Sequence, residues 1–219
     1  MAAAGADIVD VGGESTRPGS APVGEAEELS RVVPVIEALA AESVRVSIDT
    51  RKAGVAERAV AAGASLVNDV SASLWEVAAE AGAGWVAMHM RGEPRTMQHD
   101  PTYDDVVGEV EAFLVERANS ARDAGVGDVW IDPGIGFGKT VEHNLSLLRH
   151  LDRLVATGFP VVVGTSRKSF LGKLTGDAPV DDRVEASVAT ATWAMVQGAA
   201  MVRVHDVVET AQAAKVVGP

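Results

Sequence analysis

Seven times along this chain a short apolar run closes on a polar residue or a glycine, and a stretch with helical spacing follows within a few positions. The runs are Ala6 to Gly13, Val44 to Thr50, Ser65 to Ser71, Gly84 to Met90, Val129 to Asp132, Pro160 to Ser166 and Ala200 to Asp206. Runs this uniformly apolar are buried on both faces, and helices between them predict a parallel α/β sheet of about seven strands. A chain of 219 residues, 47% hydrophobic, can bury one large core, so residues 1–219 are expected to form a single domain. Two folds suit the pattern: a TIM-type (β/α)8 barrel, and a doubly wound open sheet.

The intervening helices are read from apolar residues on one face. Leu29, Val32, Val33, Ile36 and Leu39 mark the first, a second runs from about Lys52 to Ala62 with Gly63 ending it, and Trp75, Val77 and Ala78 mark a short third. A longer, polar connection from Arg91 to Tyr103 holds Pro94 and Pro101 and precedes a helix from about Asp104 to Gly125. Thr140 is placed to cap a helix carrying Val141, Leu145, Leu148, Leu151 and Val155. Asp181 or Asp182 is placed to cap one carrying Val184, Val188, Ala191 and Met195, and a last helix reaches Val217.

The most informative stretch is Val129 to Lys139, where the strand Val129-Trp130-Ile131 ends in Asp132 and Pro133-Gly134-Ile135-Gly136-Phe137-Gly138-Lys139 follows. A Walker loop needs glycine where Pro133 stands, and Gly134-x-Gly136-x-Gly138 misses the dinucleotide fingerprint by one position, so both nucleotide motifs fail. Two meanings stay open for Asp132: a ligand-facing carboxylate at the strand's lip, or a side chain that satisfies the local backbone of a tight turn.

Composition narrows the partners. A formal net charge of −12 repels a polyanion, which argues against nucleic acid. The absence of cysteine excludes disulfides and thiolate metal sites and fits a reducing cytoplasm. The opening Met1-Ala2-Ala3-Ala4-Gly5 shows neither a signal peptide nor a membrane span.

Function in either fold collects at the C-terminal ends of the strands. Arg17, Asp49, Asn68, His89, Asp132, Lys168, Arg203 and His205 all fall there. Asp49, Asn68 and Asp132 supply hydrogen-bond acceptors and an amide suited to a flat heterocycle with amino and ring N–H donors. Arg17, Lys168, Arg203 and His205 supply N–H donors and positive charge suited to a phosphate or diphosphate. Singly, each reads equally well as a surface ion pair or a satisfied core group; together, at the same end of successive strands, they read as a binding rim.

Seven segments resemble dihydropteroate synthases in the family's order: 10–19 (Asp-Val-Gly-Gly-Glu-Ser-Thr-Arg-Pro-Gly), 47–50, 67–71, 88–90, 132–139, 164–169 and 203–207. The resemblance implies a TIM-type barrel that joins 6-hydroxymethyl-7,8-dihydropterin diphosphate to 4-aminobenzoate, with Mg2+ assisting, in a cytoplasmic homodimer packed through its last helices. It implies a pterin pocket of Asp49, Asn68, Asp132 and Lys168, with Met88, Gly164 and Phe137 lining it. Thr16, Arg17, Ser169, Arg203 and His205 would meet the diphosphate and the aminobenzoate, and Lys168, Arg203 and His205 would carry the catalytic work.

Two departures accompany the match. The family's pattern opens with a further strand and a loop whose asparagine holds the magnesium, and this sequence starts after them; about seven strands and no protein metal ligand are therefore expected. Ala72-Ser73 stands where the family usually has glycines, which stiffens or re-aims that loop. The alternatives to a synthase are a pterin-binding module without catalysis and a methyltetrahydrofolate-dependent methyltransferase, whose chemistry would leave the rim's cations without a task.

Overall fold

The computed structural model describes residues 1–15 and 20–218. Seven strands alternate with helices: β1 (Val9–Gly12), β2 (Val46–Asp49), β3 (Leu66–Asp69), β4 (Gly84–Met88), β5 (Val129–Asp132), β6 (Val162–Val163) and β7 (Met201–Val202). Strands β1 to β5 pair in sequence order, β6 pairs with β7, and an Ile131 to Val161 bridge joins the two groups; every pairing is parallel. An open doubly wound sheet reverses its strand order at a switch point. Here the order never reverses, as in a barrel. Among the described residues no strand pairs with the outer edge of β1 or of β7. Charged side chains span that interval instead, since Arg203, just after β7, reaches Asp10 of β1 and Asp49 of β2.

Nine α-helices are described: α1 (Glu25–Ala41), α2 (Ala53–Ala61), α3 (Trp75–Ala81), α4 (Val106–Asp123), α5 (Val141–Arg149), α6 (Leu151–Val155), α7 (Ser169–Leu174), α8 (Val184–Val196) and α9 (Val207–Val217). Thr140 caps α5 as expected, its hydroxyl accepting from the His143 N–H at 3.2 Å while His143 Nδ1 accepts from the Thr140 N–H. The apolar period continues past Arg149, but His150 leaves helical geometry (φ −112, ψ 31), so the single helix expected through Val155 is two. Asp181 and Asp182 lie in a 3-10 turn, and Arg183, not either carboxylate, stands at the start of α8. The one-and-a-half-turn α7 was hidden in the sequence because its six residues are too few to show a period.

Side-chain alternation along the strands divides the core in two. One set, including Ile48, Val67, Trp85, Ile131 and Val163, packs outward against the helices. The other is a small inner cluster of Leu66, Val86 and Val162, with Ile8, Trp130 and Met201 against it. This second cluster fills the barrel's axis and forms the floor under the strand ends.

Candidate active site

The period of 2 along a strand decides which residues meet the axis. Leu66, Val86, Trp130 and Val162 are in the inner cluster, so the residues two further on, Asn68, Met88, Asp132 and Gly164, stand above them on the same face. Register places Asp49 beside Asn68 and Met88 beside Asp132. The neighbours one position away do structural work in the outer layer. Asp69, fully buried, accepts from the Trp85 indole at 3.1 Å and from the backbone N–H groups of Ser73 and Leu74 at 2.7 Å, which ties down the turn into α3. In that turn Ala72 has φ 47, a left-handed conformation that suits glycine.

Arg203 is the centre of the rim. Its Nε donates to Asp10 at 2.5 Å and its Nη2 to Asp49 at 2.7 Å. Burial opposes its charge, but Asp10 and Asp49 more than compensate and hold its pKa above the ordinary arginine value. Asp49 keeps its other oxygen buried and without a hydrogen-bond partner. Burial, only partly offset by Arg203, pushes its carboxyl up to about 7. Asp132, also raised by burial, accepts from the Gly134 N–H at 2.7 Å through one oxygen. Asp132 thus satisfies the local turn, the second of the two meanings left open by the sequence, and also faces the charges of Lys168 and Arg203.

Lys168 enters from the other side. Arg167 sits in the left-handed region (φ 57), fixed by its N–H to Ser187, by Arg183 on its carbonyl and by its side chain on Asp206. The next residue, Lys168, sends its ammonium to the Ile135 carbonyl and over the Phe137 ring, 4.8 Å from the centroid. Burial lowers its pKa to about 8, while Asp132 works in the opposite direction. Gly164 leaves the space between the two cations open: a Cβ there would lie 3.7 Å from both the Lys168 ammonium and Arg203 Cβ.

The remaining expected residues lie further out. His205 is exposed, with Nδ1 3.0 Å from the buried Ser166 hydroxyl. Ser169 lines an adjoining open depression of about 370 Å3, with Gln98, Gly136 and Asn144, and that depression contains none of Asp49, Asn68 or Asp132. Thr16 and Arg17 lie outside the described residues. His89 ends a strand run but is turned away from the rim: its ring meets Phe113 of α4 edge-on at 5.0 Å, because it alternates with the inward Met88.

Two residues were not singled out from sequence. Asp10 lies inside the rim, two positions before Gly12 on the same face, a clue that period 2 could have given. Lys139, 3% exposed, donates to the carbonyls of Gly134, Phe137 and His89 at 3.1 to 3.3 Å and stands 2.9 Å from His89 Nδ1. It joins the loops after β4 and β5. Burial takes its pKa down to about 7 and that of His89 to about 3, so the imidazole is neutral. Gly134 is required for the same reason: it has φ 64, and a Cβ there would run into the His89 carbonyl. Among the described residues no group of three histidine, aspartate or glutamate side chains is arranged to hold a metal ion.

Comparison with known proteins gives the family and the fold. The model of the family described as pterin binding enzyme matches residues 1–205. The dihydropteroate synthase of Neisseria meningitidis serogroup B is 48% identical over 223 residues, covering 97% of this chain and 78% of its own length. Among solved structures, Yersinia pestis dihydropteroate synthase with a sulfonamide drug superposes with a TM-score of 0.95 at 46% identity, covering 99% of this chain and 81% of that one. Thermus thermophilus dihydropteroate synthase in complex with 4-aminobenzoate gives 0.94 at 48% identity, with 99% and 85% covered. Matched by the family model over residues 1–205, sharing nearly half its residues with these enzymes and superposing on their barrels, the chain belongs to the dihydropteroate synthase family of pterin binding enzymes.

Proposed function

We propose that this chain, as one domain, condenses 6-hydroxymethyl-7,8-dihydropterin diphosphate with 4-aminobenzoate to give 7,8-dihydropteroate and pyrophosphate. The observation that carries it is the pairing of spare acceptors with two cations on one inward rim: Asp49 with an unpartnered oxygen, Asn68 and Asp132 on one hand, Arg203 and Lys168 on the other. Acceptors of this kind match the amino and ring N–H donors of a pterin, and the cations match a departing diphosphate.

The chemistry asks for positioning and charge stabilisation rather than a protein nucleophile. The bond from the pterin's exocyclic carbon to the diphosphate oxygen breaks with both electrons leaving on oxygen. The conjugated ring delocalises the resulting cation, the arylamine nitrogen bonds to that carbon, and the amine proton passes to solvent or pyrophosphate. Arg203 and His205 meet the leaving anion. Lys168, between Asp132 and Phe137, stands where ring, diphosphate and arylamine come together, and Ser169 receives the aminobenzoate carboxylate. Thr16 and Arg17 are assigned to the diphosphate and aminobenzoate by their motif.

Magnesium, which neutralises diphosphate charge in such reactions, finds no ready-made set of protein ligands among the described residues. A homodimer through α8 and α9 is proposed from Trp193, Val196, Val208 and Val216, large apolar side chains left exposed there. No described helix is long and apolar enough to cross a membrane, which suits the cytoplasmic pool of the proposed substrates. The test is to supply the purified chain with both substrates and Mg2+ and measure pyrophosphate and dihydropteroate. Stoichiometric release of both is expected; pterin binding with no pyrophosphate would leave only a binding module.

A further inference from the structure

Asp10 lies at an inward position of β1, in register with Ser47, and its side chain is 17% exposed. Three donors converge on it: Arg203 Nε at 2.5 Å, Asn68 Nδ2 at 3.4 Å and the Ser47 hydroxyl. We infer that Asp10 is a positioning residue for diphosphate-bearing ligands, holding Arg203 and Asn68 in the orientations that present their free groups to the ligand. This rests on the proposed reading of the rim as a pterin diphosphate site, and goes beyond it by assigning a role to a carboxylate that does not touch the substrate.

An ionised carboxylate only accepts hydrogen bonds, so whatever faces Asp10 is forced to donate. For Asn68 that fixes the amide: its NH2 turns to Asp10, and its carbonyl oxygen is left for a ligand N–H. For Arg203 it fixes the fork. A guanidinium has five N–H groups; with Nε–H on Asp10 and an Nη2–H on Asp49, the others remain for an anion. Without Asp10 nothing holds the Nε edge, and Asn68 is free to flip and present a donor to a donor. Asp10 also ties the segment after β7 to β1, where no strand pairing joins them among the described residues.

The test uses the full chain with Asp10→Asn, which keeps the shape and removes the charge. Calorimetry measures binding of 6-hydroxymethyl-7,8-dihydropterin and of its diphosphate. The diphosphate is expected to bind about ten- to a hundredfold more weakly, the scale of one lost charge-assisted hydrogen bond, with a smaller loss for the alcohol. In an Arg203→Gln background, Asp10→Asn should no longer weaken the diphosphate more than the alcohol, leaving only the smaller loss, equal for both ligands, that comes through Asn68. Asp10→Glu, which keeps the charge but displaces it, should show the same selective loss to a lesser degree, and it carries the test if the asparagine variant does not fold. Unchanged or tighter diphosphate binding would overturn the proposal, as Asp10 would then only compete for Arg203. An equal loss for alcohol and diphosphate in the chain that keeps Arg203, or a preference for weakening the diphosphate that survives Arg203→Gln, would overturn it too. Turnover by the unsubstituted chain tests the synthase reading separately, because the Asp10 comparison is made on binding alone.

Discussion

Replacing Asp49 with asparagine should stabilise the ligand-free protein at pH 8 while removing its affinity for pterin. Burial pushes the Asp49 carboxyl from 3.8 to about 7, with Arg203 offsetting only part of it. Between those values the folded chain binds more protons at this site than the unfolded chain does. Stability therefore falls as pH rises from 3.8 to 7, and the whole penalty is present above 7. At about 1.4 kcal/mol per pH unit the penalty is on the order of 4 kcal/mol. The side chain keeps 12% exposure, and an amide is a poorer partner for Arg203 than a carboxylate. A net gain of about 2 kcal/mol at pH 8, or roughly 4 to 8 °C in Tm for a chain of this length, is the working figure. Urea denaturation at half-unit steps from pH 4 to 8.5, for both proteins, measures it. The curves should meet near pH 4 and separate as pH rises to 7. A variant less stable than wild type at pH 8, or a difference independent of pH, would refute the reasoning.

Gly134→Ala should destabilise by more than about 3 kcal/mol, since it combines positive φ with a collision against backbone, and thermal melts will read it. Lys139→Met should cost about 2 to 4 kcal/mol at pH 7, because the carbonyls of Gly134, Phe137 and His89 lose their shared donor. Its pH dependence has the opposite sign to that of Asp49. With the folded pKa lowered to about 7, the buried ammonium's penalty is relieved as pH rises from 7 toward 10.5, so wild type should draw further ahead of the variant by pH 9 in the same denaturation assay. Asp132→Ala should abolish pterin binding in calorimetry and change stability by only about 1 kcal/mol, the worth of the Gly134 N–H bond.

The strand order and the rim were legible because both follow from simple periods. Asp49, Asn68, Asp132 and Arg203 end apolar runs, and a parallel sheet sends such ends to one side. What the pattern hides is the direction of each side chain, since a strand boundary misjudged by one residue exchanges the two faces. That is why His89 was grouped with the rim while Asp10, in the middle of a strand run rather than at its end, was not. Helix ends were lost for a different reason. The break at His150 carries no proline or glycine to announce it, and α7, though followed by Gly176 in the left-handed region, is too short to show a period.

The rim also explains how a chain with a net charge of −12 can take an anionic substrate. Counted by formal charge, Asp10, Asp49 and Asp132 outnumber Arg203 and Lys168, so the site is not a simple cationic trap. Burial raises the pKa of Asp49 and Asp132, moving both toward the neutral form; it also opposes the charge of Arg203, but Asp10 and Asp49 more than compensate and keep that guanidinium charged. A ligand that offers N–H donors to the two carboxylates and a diphosphate to the guanidinium satisfies both kinds of group at once. A pterin alone leaves the cations without an anion, and pyrophosphate alone leaves the buried Asp49 oxygen without a donor. Pterin ring and diphosphate should therefore bind cooperatively when joined, with an affinity exceeding what the separate fragments imply, and isothermal titration of the alcohol, pyrophosphate and diphosphate ester against one preparation will show it. Fragment affinities that simply combine, with pyrophosphate binding as well alone as beside the pterin alcohol, would mean that the carboxylates do not guard the anion site.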